Sequence, residues 1–159
     1  MLFDERYDAS GVLWYEDGQL ATEAPWAADR YQDDPRPGHR APDGYVDPWG
    51  DTLYDRIGND LALLVSTPDR AVERAFTAAA SARALPFTVV HLTDGAARQA
   101  YAADNVLVRP DQHVAWRGAE LPAGGAGAVL DRVLGHQPGA GAPTSPDLSK
   151  GATHDLALR

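Results

Sequence analysis

The chain has 159 residues, enough for one domain with extensions, and a formal net charge of −9. Such an acidic surface disfavours nucleic acid and anionic membranes as partners, and the lack of cysteine excludes disulfides and thiol chemistry. No apolar run approaches the length of a membrane span, and the N-terminus lacks a signal-peptide core, so we expect a cytoplasmic protein.

The first fifty residues differ in composition from the rest, because they hold five prolines, many aspartates and three of the four tryptophans. Residues 12–15 could form a short strand closed by a turn at 16–18. Beyond them the apolar residues of the arm show no sustained period. Frequent prolines exclude a long helix, so we predict an extended arm. Its aromatic residues favour anchoring on this chain's own core over anchoring on a partner; they are Trp14, Trp26 and Trp49.

From residue 51 onward the pattern becomes regular. Residues 61–65 form a continuous apolar run, which predicts a strand covered on both faces. A helix should follow, with Thr67 as its N-cap and Pro68 at its first position. Residues 87–92 predict the next strand, so the three elements form a βαβ unit with parallel strands. The apolar stripe of the helix comprises Val72, Ala75, Phe76, Ala79 and Ala80.

Three further elements complete the pattern. Residues 93–95 offer a cap to a short helix that runs to about Tyr101. Residues 106–117 predict a β-hairpin whose turn places Pro110 at position i+1 and Asp111 at i+2. The last helix carries an apolar face, and Gly135 suits the position just after its end. That face comprises Ala126, Val129, Leu130, Val133 and Leu134.

The resulting order, β-α-β-α-β-β-α, predicts an α/β fold with a four-stranded mixed sheet, as in thioredoxin-like domains. We expect an extended arm and linker at residues 1–50 and the thioredoxin-like domain at residues 51–137. Residues 138–159 are rich in glycine and proline, and we expect them to be disordered.

No active site emerges from the motifs. The Cys-x-x-Cys position of a redox thioredoxin reads Ser-Thr-Pro-Asp at residues 66–69, and residues 104–105 (Asp-Asn) replace its cis-proline. Residues 124–127 are glycine-rich but lack a phosphate-loop context, and the acidic pair at 33–34 lies in the arm. The serines lack a Gly-x-Ser-x-Gly setting. The histidines show no ligand spacing; they are His39, His91, His113, His136 and His154.

Three segments carry a family resemblance. Residues 108–117 (VRPDQHVAWR) resemble the hairpin signature in the C-terminal domain of FAD-dependent aromatic hydroxylases, which are single-component flavoprotein monooxygenases of phenols and aromatic polyketides. Residues 36–42 (RPGHRAP) are similar to the segment that links the substrate domain of that family to its last domain. Residues 54–64 are similar to a third family segment, and the resemblance covers about residues 7–135.

The resemblance implies a thioredoxin-like domain without redox cysteines, associated with packing, closure of the substrate cavity or oligomer contacts. Asp43 and Gln112 depart from the histidine and glycine usual in the family, and none of the family's FAD-binding motifs is present. We therefore expect no catalytic, cofactor-binding or metal-binding residue. The signature residues carried over, with a structural or docking role, are Pro37, Gly38, Arg40, Pro42, Arg109, Pro110, Asp111, Trp116 and Arg117.

Three hypotheses of function remain open. The chain could be a non-catalytic module that acts by docking or structural support. Alternatively, it could be one subunit of a split FAD-dependent monooxygenase and complete the active site of its partner. A weaker alternative is a protein that binds a small aromatic ligand through the tryptophans. In each case FAD is expected only on a partner or a missing domain, and the expected partners are a hydroxylase subunit or a second copy of this chain.

Overall fold

The structure is a computed structural model, and it describes residues 6–7, 9–23, 34–46 and 49–136. Two short helices precede the sheet, and the remaining elements alternate as the sequence predicts. In chain order they are α1 (Gln19–Thr22), α2 (Leu53–Ile57), β1 (Leu61–Val65), α3 (Ala71–Ser81), β2 (Phe87–His91), α4 (Gly95–Tyr101), β3 (Asn105–Val108), β4 (Val114–Gly118) and α5 (Gly125–Val133).

The four strands form one mixed sheet in the order β2-β1-β3-β4. Strands β1 and β2 pair in parallel, whereas β3 is antiparallel to both of its neighbours. Only β3 therefore runs against the other three strands. The predicted α/β fold with a four-stranded mixed sheet and a parallel βαβ unit is confirmed.

Apolar side chains cover both faces of the sheet. Because strand side chains alternate, Leu63 joins the core beneath α3 and α5, whereas Leu64 joins the core on the side of α2 and α4. All five residues of β1 are buried, as expected for a strand covered on both faces. The predicted arm contributes to both cores, since Leu13 packs in the first and Val46 in the second.

The hairpin has the predicted turn. The backbone N–H of Gln112 donates to the carbonyl of Arg109 at 2.9 Å, which places Pro110 and Asp111 at the centre of the turn. Past the turn, Val108 pairs with Val114 while Leu107 pairs with Trp116. Ala115 is thus the extra residue of a β-bulge, and its carbonyl accepts the backbone N–H of Trp14 at 2.8 Å.

The predicted start of the first long helix is wrong. Helix α3 begins at Ala71, and neither Thr67 nor Pro68 is helical. The Thr67 hydroxyl accepts the N–H of Asp69 at 3.2 Å, and the Asp69 carboxylate accepts the N–H of Ala71 at 2.9 Å. These two local turns satisfy the N–H groups of Asp69 and Ala71 and keep Thr67 and Pro68 outside the helix.

Two predictions for the arm also need correction. Residues 12–15 form no strand, because the chain turns there: Leu13 N–H bonds to the Ser10 carbonyl at 3.3 Å, and only Trp14 N–H reaches the sheet. The arm is not wholly extended either, since α1 lies within it. Helix α2 was not predicted, although Thr52 and Asp55 form a capping box at its start.

The other boundaries follow the pattern closely. Asp94 caps α4 by accepting the N–H groups of Ala96 and Ala97. Strand β2 ends at His91, one residue earlier than predicted. Gly135 follows α5 with a φ of +74°, which suits the position just past a helix end. Residues 138–159 lie outside the described residues. Within the described ranges, no helix is long and apolar enough to cross a membrane.

The arm tryptophans do not share one environment. Trp14 packs against the core beneath α3 and α5, and the guanidinium of Arg132 lies 4.4 Å from the centre of its ring. Trp49 is 84% exposed, so the prediction that it anchors the arm on this chain's own core is wrong. Trp26 lies outside the described residues.

Candidate functional site

The linker at residues 36–42 runs antiparallel along the start of β4. Gly38 N–H donates to the Val114 carbonyl, and Val114 N–H donates to the His39 carbonyl, both at 2.9 Å. Ala41 N–H donates to the Gln112 carbonyl at 2.7 Å. The structure therefore brings the two segments of the family signature, the linker and the hairpin turn, into direct contact.

Side chains from three other segments bind three further carbonyls of the linker. Gln19, itself buried, donates to the Pro37 carbonyl at 2.7 Å. Tyr54 of α2 donates to the Ala41 carbonyl at 2.7 Å, and Tyr101 of α4 donates to the Pro42 carbonyl at 2.5 Å. The linker is thus fixed along its length to the domain that follows it.

Gly38 occupies a position that other residues could not take without strain. Its φ is +97°, in the left-handed region, and a Cβ atom there would lie 2.7 Å from the Tyr7 carbonyl oxygen. The same carbonyl accepts the Tyr15 hydroxyl at 2.7 Å, and Tyr7 N–H donates to the Gly38 carbonyl at 2.9 Å. The close approach lets the arm pair with the outer edge of the linker.

An ion pair closes the hairpin turn. The guanidinium of Arg109 donates to both carboxylate oxygens of Asp111 at 2.9–3.2 Å, and the backbone N–H of His113 adds a bond at 3.3 Å. Burial disfavours the charged carboxylate, but the hydrogen bonds and the charge of Arg109 outweigh burial and hold the pKa of Asp111 below its usual value. Arg109 and Asp111 therefore hold the turn together.

The arm and the linker both reach this turn. Tyr7 places its ring 4.5 Å from that of His113, and the Arg109 guanidinium lies 6.0 Å from the centre of the Tyr7 ring. Arg40 donates to the side-chain oxygen of Gln112 at 2.6 Å. Gln112 has a φ of +67°, which explains in physical terms why glycine would suit this position.

A buried polar cluster lies beneath the linker. The Glu23 carboxylate accepts from Gln19 at 2.7 Å and from Arg6 at 3.3 Å, and it lies 3.0 Å from Nε2 of His39. His39 is 1% exposed, and its Nδ1 has no hydrogen-bond partner among the described residues. The cluster joins α1, the arm and the linker.

Just before the linker, both carboxylate oxygens of Asp34 accept hydrogen bonds from the guanidinium of Arg36, at 2.5–3.0 Å. Burial opposes ionisation of Asp34, but the bonds from Arg36 outweigh it and lower the pKa of this carboxyl. The hydrogen bonds that Arg36 donates to Asp34 in turn raise the pKa of Arg36. Asp33, the other half of the acidic pair, lies outside the described residues.

The last two signature residues lie apart from the linker. Trp116 is buried in the core, with its ring 5.2 Å from that of Phe76. Arg117 forms an ion pair with Glu16 just before α1. Of the nine predicted residues, Trp116 thus lies in the core and Arg117 forms an ion pair with Glu16. The other seven lie in the linker and the hairpin turn, and we call them the linker and turn surface: Pro37, Gly38, Arg40, Pro42, Arg109, Pro110 and Asp111.

Sequence reasoning missed several residues of this surface, namely Arg6, Tyr7, Gln19, Glu23, Tyr54 and Tyr101. Most of their partners lie at least 13 positions away in the chain, so no local spacing signals the contacts. Within the described ranges, no group of three or more His, Asp or Glu side chains is placed to hold a metal ion.

The family model for the C-terminal domain of aromatic-ring hydroxylases matches residues 34–137, well over half of the chain. This chain belongs to the aromatic-ring hydroxylase C-terminal family. The matched range begins at the linker, so the family domain includes the linker as well as the sheet. The resemblance inferred from the hairpin and linker is confirmed.

Three solved structures are similar to this chain. RebC with bound 7-carboxy-K252c is 31% identical over 83% of this chain and 23% of that chain, with a TM-score of 0.67. Aklavinone-11 hydroxylase in complex with FAD and aklavinone is 28% identical over 84% of this chain and 26% of that chain, with a TM-score of 0.64. The flavin-dependent monooxygenase PieE, in complex with FAD and substrate, is 26% identical, with a TM-score of 0.64.

The chain spans only about a quarter of the length of the solved structures that it matches. A search of the curated proteins gave no match.

Proposed function

We propose that this chain is a non-catalytic docking and support module of the aromatic-ring hydroxylase type. The observation that carries the proposal is the set of three backbone hydrogen bonds between the linker and the hairpin. In the resemblance, this linker joins the substrate domain to the last domain. A linker fixed in this way would hold a hydroxylase body in one orientation relative to the sheet.

The described residues after β1 do not fit the way in which a Rossmann fold binds FAD. In that fold a glycine-rich turn between the first strand and its helix lets the backbone approach the pyrophosphate. Here β1 is followed by residues 66–69 (Ser-Thr-Pro-Asp), and α3 starts only at Ala71. We therefore propose that FAD belongs to a partner or to a missing domain, and we assign no reaction step to this chain.

The second candidate is a subunit of a split FAD-dependent monooxygenase. It is supported by the linker from Pro37 to Pro42, which the family resemblance places against the substrate domain. Two of the similar solved structures contain FAD. In this proposal the linker and turn surface would face the flavoprotein and complete its substrate cavity. The partner would supply the flavin, and this chain would supply the closing surface.

The third candidate, binding of an aromatic ligand by the tryptophans, has less support. Trp116 is in the core, Trp14 lies beneath Arg132, and Trp49 is exposed, so the described tryptophans do not line one pocket. A fluorescence titration with aromatic polyketides tests it.

Self-association and a cytoplasmic location remain predictions. The thioredoxin-like nature of the sheet is also a prediction, and the single antiparallel strand β3 supports it.

Two assays separate the docking module from the split enzyme. The purified chain is first mixed with FAD and NAD(P)H, and we expect neither flavin binding nor oxidation. It is then added to a flavoprotein hydroxylase that lacks this domain. A gain in hydroxylation would support the split enzyme, and complex formation without that gain would support docking alone. Oxidation of NAD(P)H by the chain alone would contradict both.

A further inference from the structure

A cleft opens at the carboxyl ends of the two parallel strands, away from the family signature. Its volume is about 350 Å³, within the range of small-ligand sites. Val65 at the end of β1 and His91 at the end of β2 both line it. Because Val108, at the start of the turn, pairs with Ala62 near the other end of β1, the cleft and the hairpin turn lie at opposite ends of β1.

The polar lining of the cleft is of one kind. Among the described residues, three basic or potentially basic side chains and three hydroxyl groups line it, and no acidic side chain does. In the whole chain, by contrast, 23 acidic residues outnumber 14 lysines and arginines. A lining of cations and hydroxyl donors favours a negatively charged group. The six polar residues are Ser66, Thr67, Arg70, His91, Thr93 and Arg98.

Arg98 is anchored by one of its donors, and its other donors have no partner among the described residues. Its Nε donates to the carbonyl of Leu92 at 2.7 Å, which anchors the guanidinium beside the end of β2. Its two terminal nitrogens have no hydrogen-bond partner in the part of the chain that the structure describes. The hydroxyl of Ser66 is likewise without a described partner. An anchored fork of N–H donors matches the geometry of a carboxylate or phosphate.

Three carboxylates near the cleft are engaged outside it. The Glu73 carboxylate accepts a hydrogen bond from Arg70 at 2.9 Å and lies 3.1 Å from Nε2 of His91. It therefore connects two of the lining residues without lining the cleft itself. Asp94 directs one oxygen to the N–H groups at the start of α4. Asp69 accepts the N–H of Ala71. None of the three lines the cleft, so the charge of Arg98 remains available there.

We propose that this cleft binds the oxyanion group of a small organic acid or phosphate ester. Arg98 is the principal ligand, and the hydroxyl groups of Ser66 and Thr67 donate to further oxygens. A neighbouring hollow of about 210 Å³ shares His91 and Thr93 with the cleft and is lined by the exposed Trp49. The organic part of the ligand extends towards this hollow, where an indole ring can contact it. The site is independent of the docking function proposed above.

Isothermal titration calorimetry at low ionic strength, in buffer free of phosphate and sulfate, tests the site on the full chain. The three probes are inorganic phosphate, phenyl phosphate and benzoate. We expect phenyl phosphate to bind more tightly than inorganic phosphate, because only the ester reaches the hollow beside Trp49. Comparison with benzoate then tells whether the site prefers a phosphate or a carboxylate.

Variants identify the ligands. Arg98→Gln should weaken the binding of phenyl phosphate by about tenfold, because it removes charge-assisted hydrogen bonds. Arg74→Gln is the matched control, since Arg74 lies exposed on α3, outside the cleft, and the variant has the same net charge. Ser66→Ala removes a hydroxyl without a described partner, and it should keep the fold while weakening binding by about threefold.

Two results would overturn the proposal. One is the absence of binding by all three probes to the unaltered chain. The other is equal weakening by Arg98→Gln and Arg74→Gln, which would show only a diffuse effect of net charge. If Arg98→Gln fails to fold, the affinity of Ser66→Ala decides, and an unchanged affinity counts against the site.

Discussion

Gly38→Ala tests the contact between arm, linker and hairpin most sharply. The new Cβ would lie 2.7 Å from the Tyr7 carbonyl oxygen and 3.2 Å from a ring carbon of Tyr15. The first of these atoms belongs to the backbone, so the arm must move to admit a methyl group. That movement breaks the hydrogen bond between Tyr7 N–H and the Gly38 carbonyl.

The expected loss follows from three contributions. An alanine in the left-handed region costs about 1–2 kcal/mol. The lost backbone hydrogen bond adds about 1 kcal/mol. The smaller conformational freedom of the unfolded alanine chain offsets about 0.4–1 kcal/mol. We therefore expect Gly38→Ala to lower the free energy of unfolding by about 2 kcal/mol, which corresponds to a Tm lower by about 4–8 °C.

Urea unfolding followed by tryptophan fluorescence measures this change, and hydrogen exchange at the Tyr7 amide reports release of the arm. Gly44→Ala is the control, because Gly44 has open space around it and no positive φ. That variant should be neutral or slightly more stable. Equal stability of Gly38→Ala and the unaltered chain, with no change in exchange at Tyr7, would refute the reasoning.

Three further predictions use the same unfolding assay. Asp111→Asn should cost about 1–2 kcal/mol at pH 7, since it removes the partly exposed pair with Arg109. Because folding lowers the pKa of Asp111, this contribution is present above the unfolded pKa of about 3.9 and disappears as the pH falls through the folded pKa. A difference in stability between Asp111→Asn and the unaltered chain that persists unchanged at low pH would contradict the ion pair. Gln112→Gly should stay within about 1 kcal/mol of the unaltered chain, whereas Gln112→Val should cost about 2 kcal/mol, because a β-branched residue at positive φ is strained; equal effects would contradict this. Leu13→Ala should cost about 2–5 kcal/mol and Trp49→Ala less than about 0.5 kcal/mol, since Leu13 is 1% exposed and Trp49 84%; the reverse order would show that the arm does not pack as described.

The sheet could be predicted because its signals are local. The unbroken apolar run of β1 indicated burial on both faces, and residues 110–111 fixed the position of the hairpin turn. Thr67 misled the prediction of the helix start, because a side chain that can cap a helix can equally well close a turn before it. The capping box of Thr52 and Asp55 is a local signal that predicts the start of α2, although periodicity alone does not indicate this short helix.

The surface around the linker could not be assembled from the sequence. The resemblance identified Gly38 and Arg40, but it did not show that they lie against β4. Glu23 and His39 come together across 16 positions of an arm without a regular period, so their contact depends on the tertiary fold alone. The tryptophans of the arm are alike in sequence, and only the structure separates the packed Trp14 from the exposed Trp49.

The central proposal is that this domain supports a flavoenzyme without performing flavin chemistry. Equilibrium dialysis of the purified chain against FAD, followed by an assay of NAD(P)H oxidation, tests it directly. We expect no retained flavin and no oxidation above the rate of free FAD. Stoichiometric retention of FAD with turnover of NAD(P)H would contradict it.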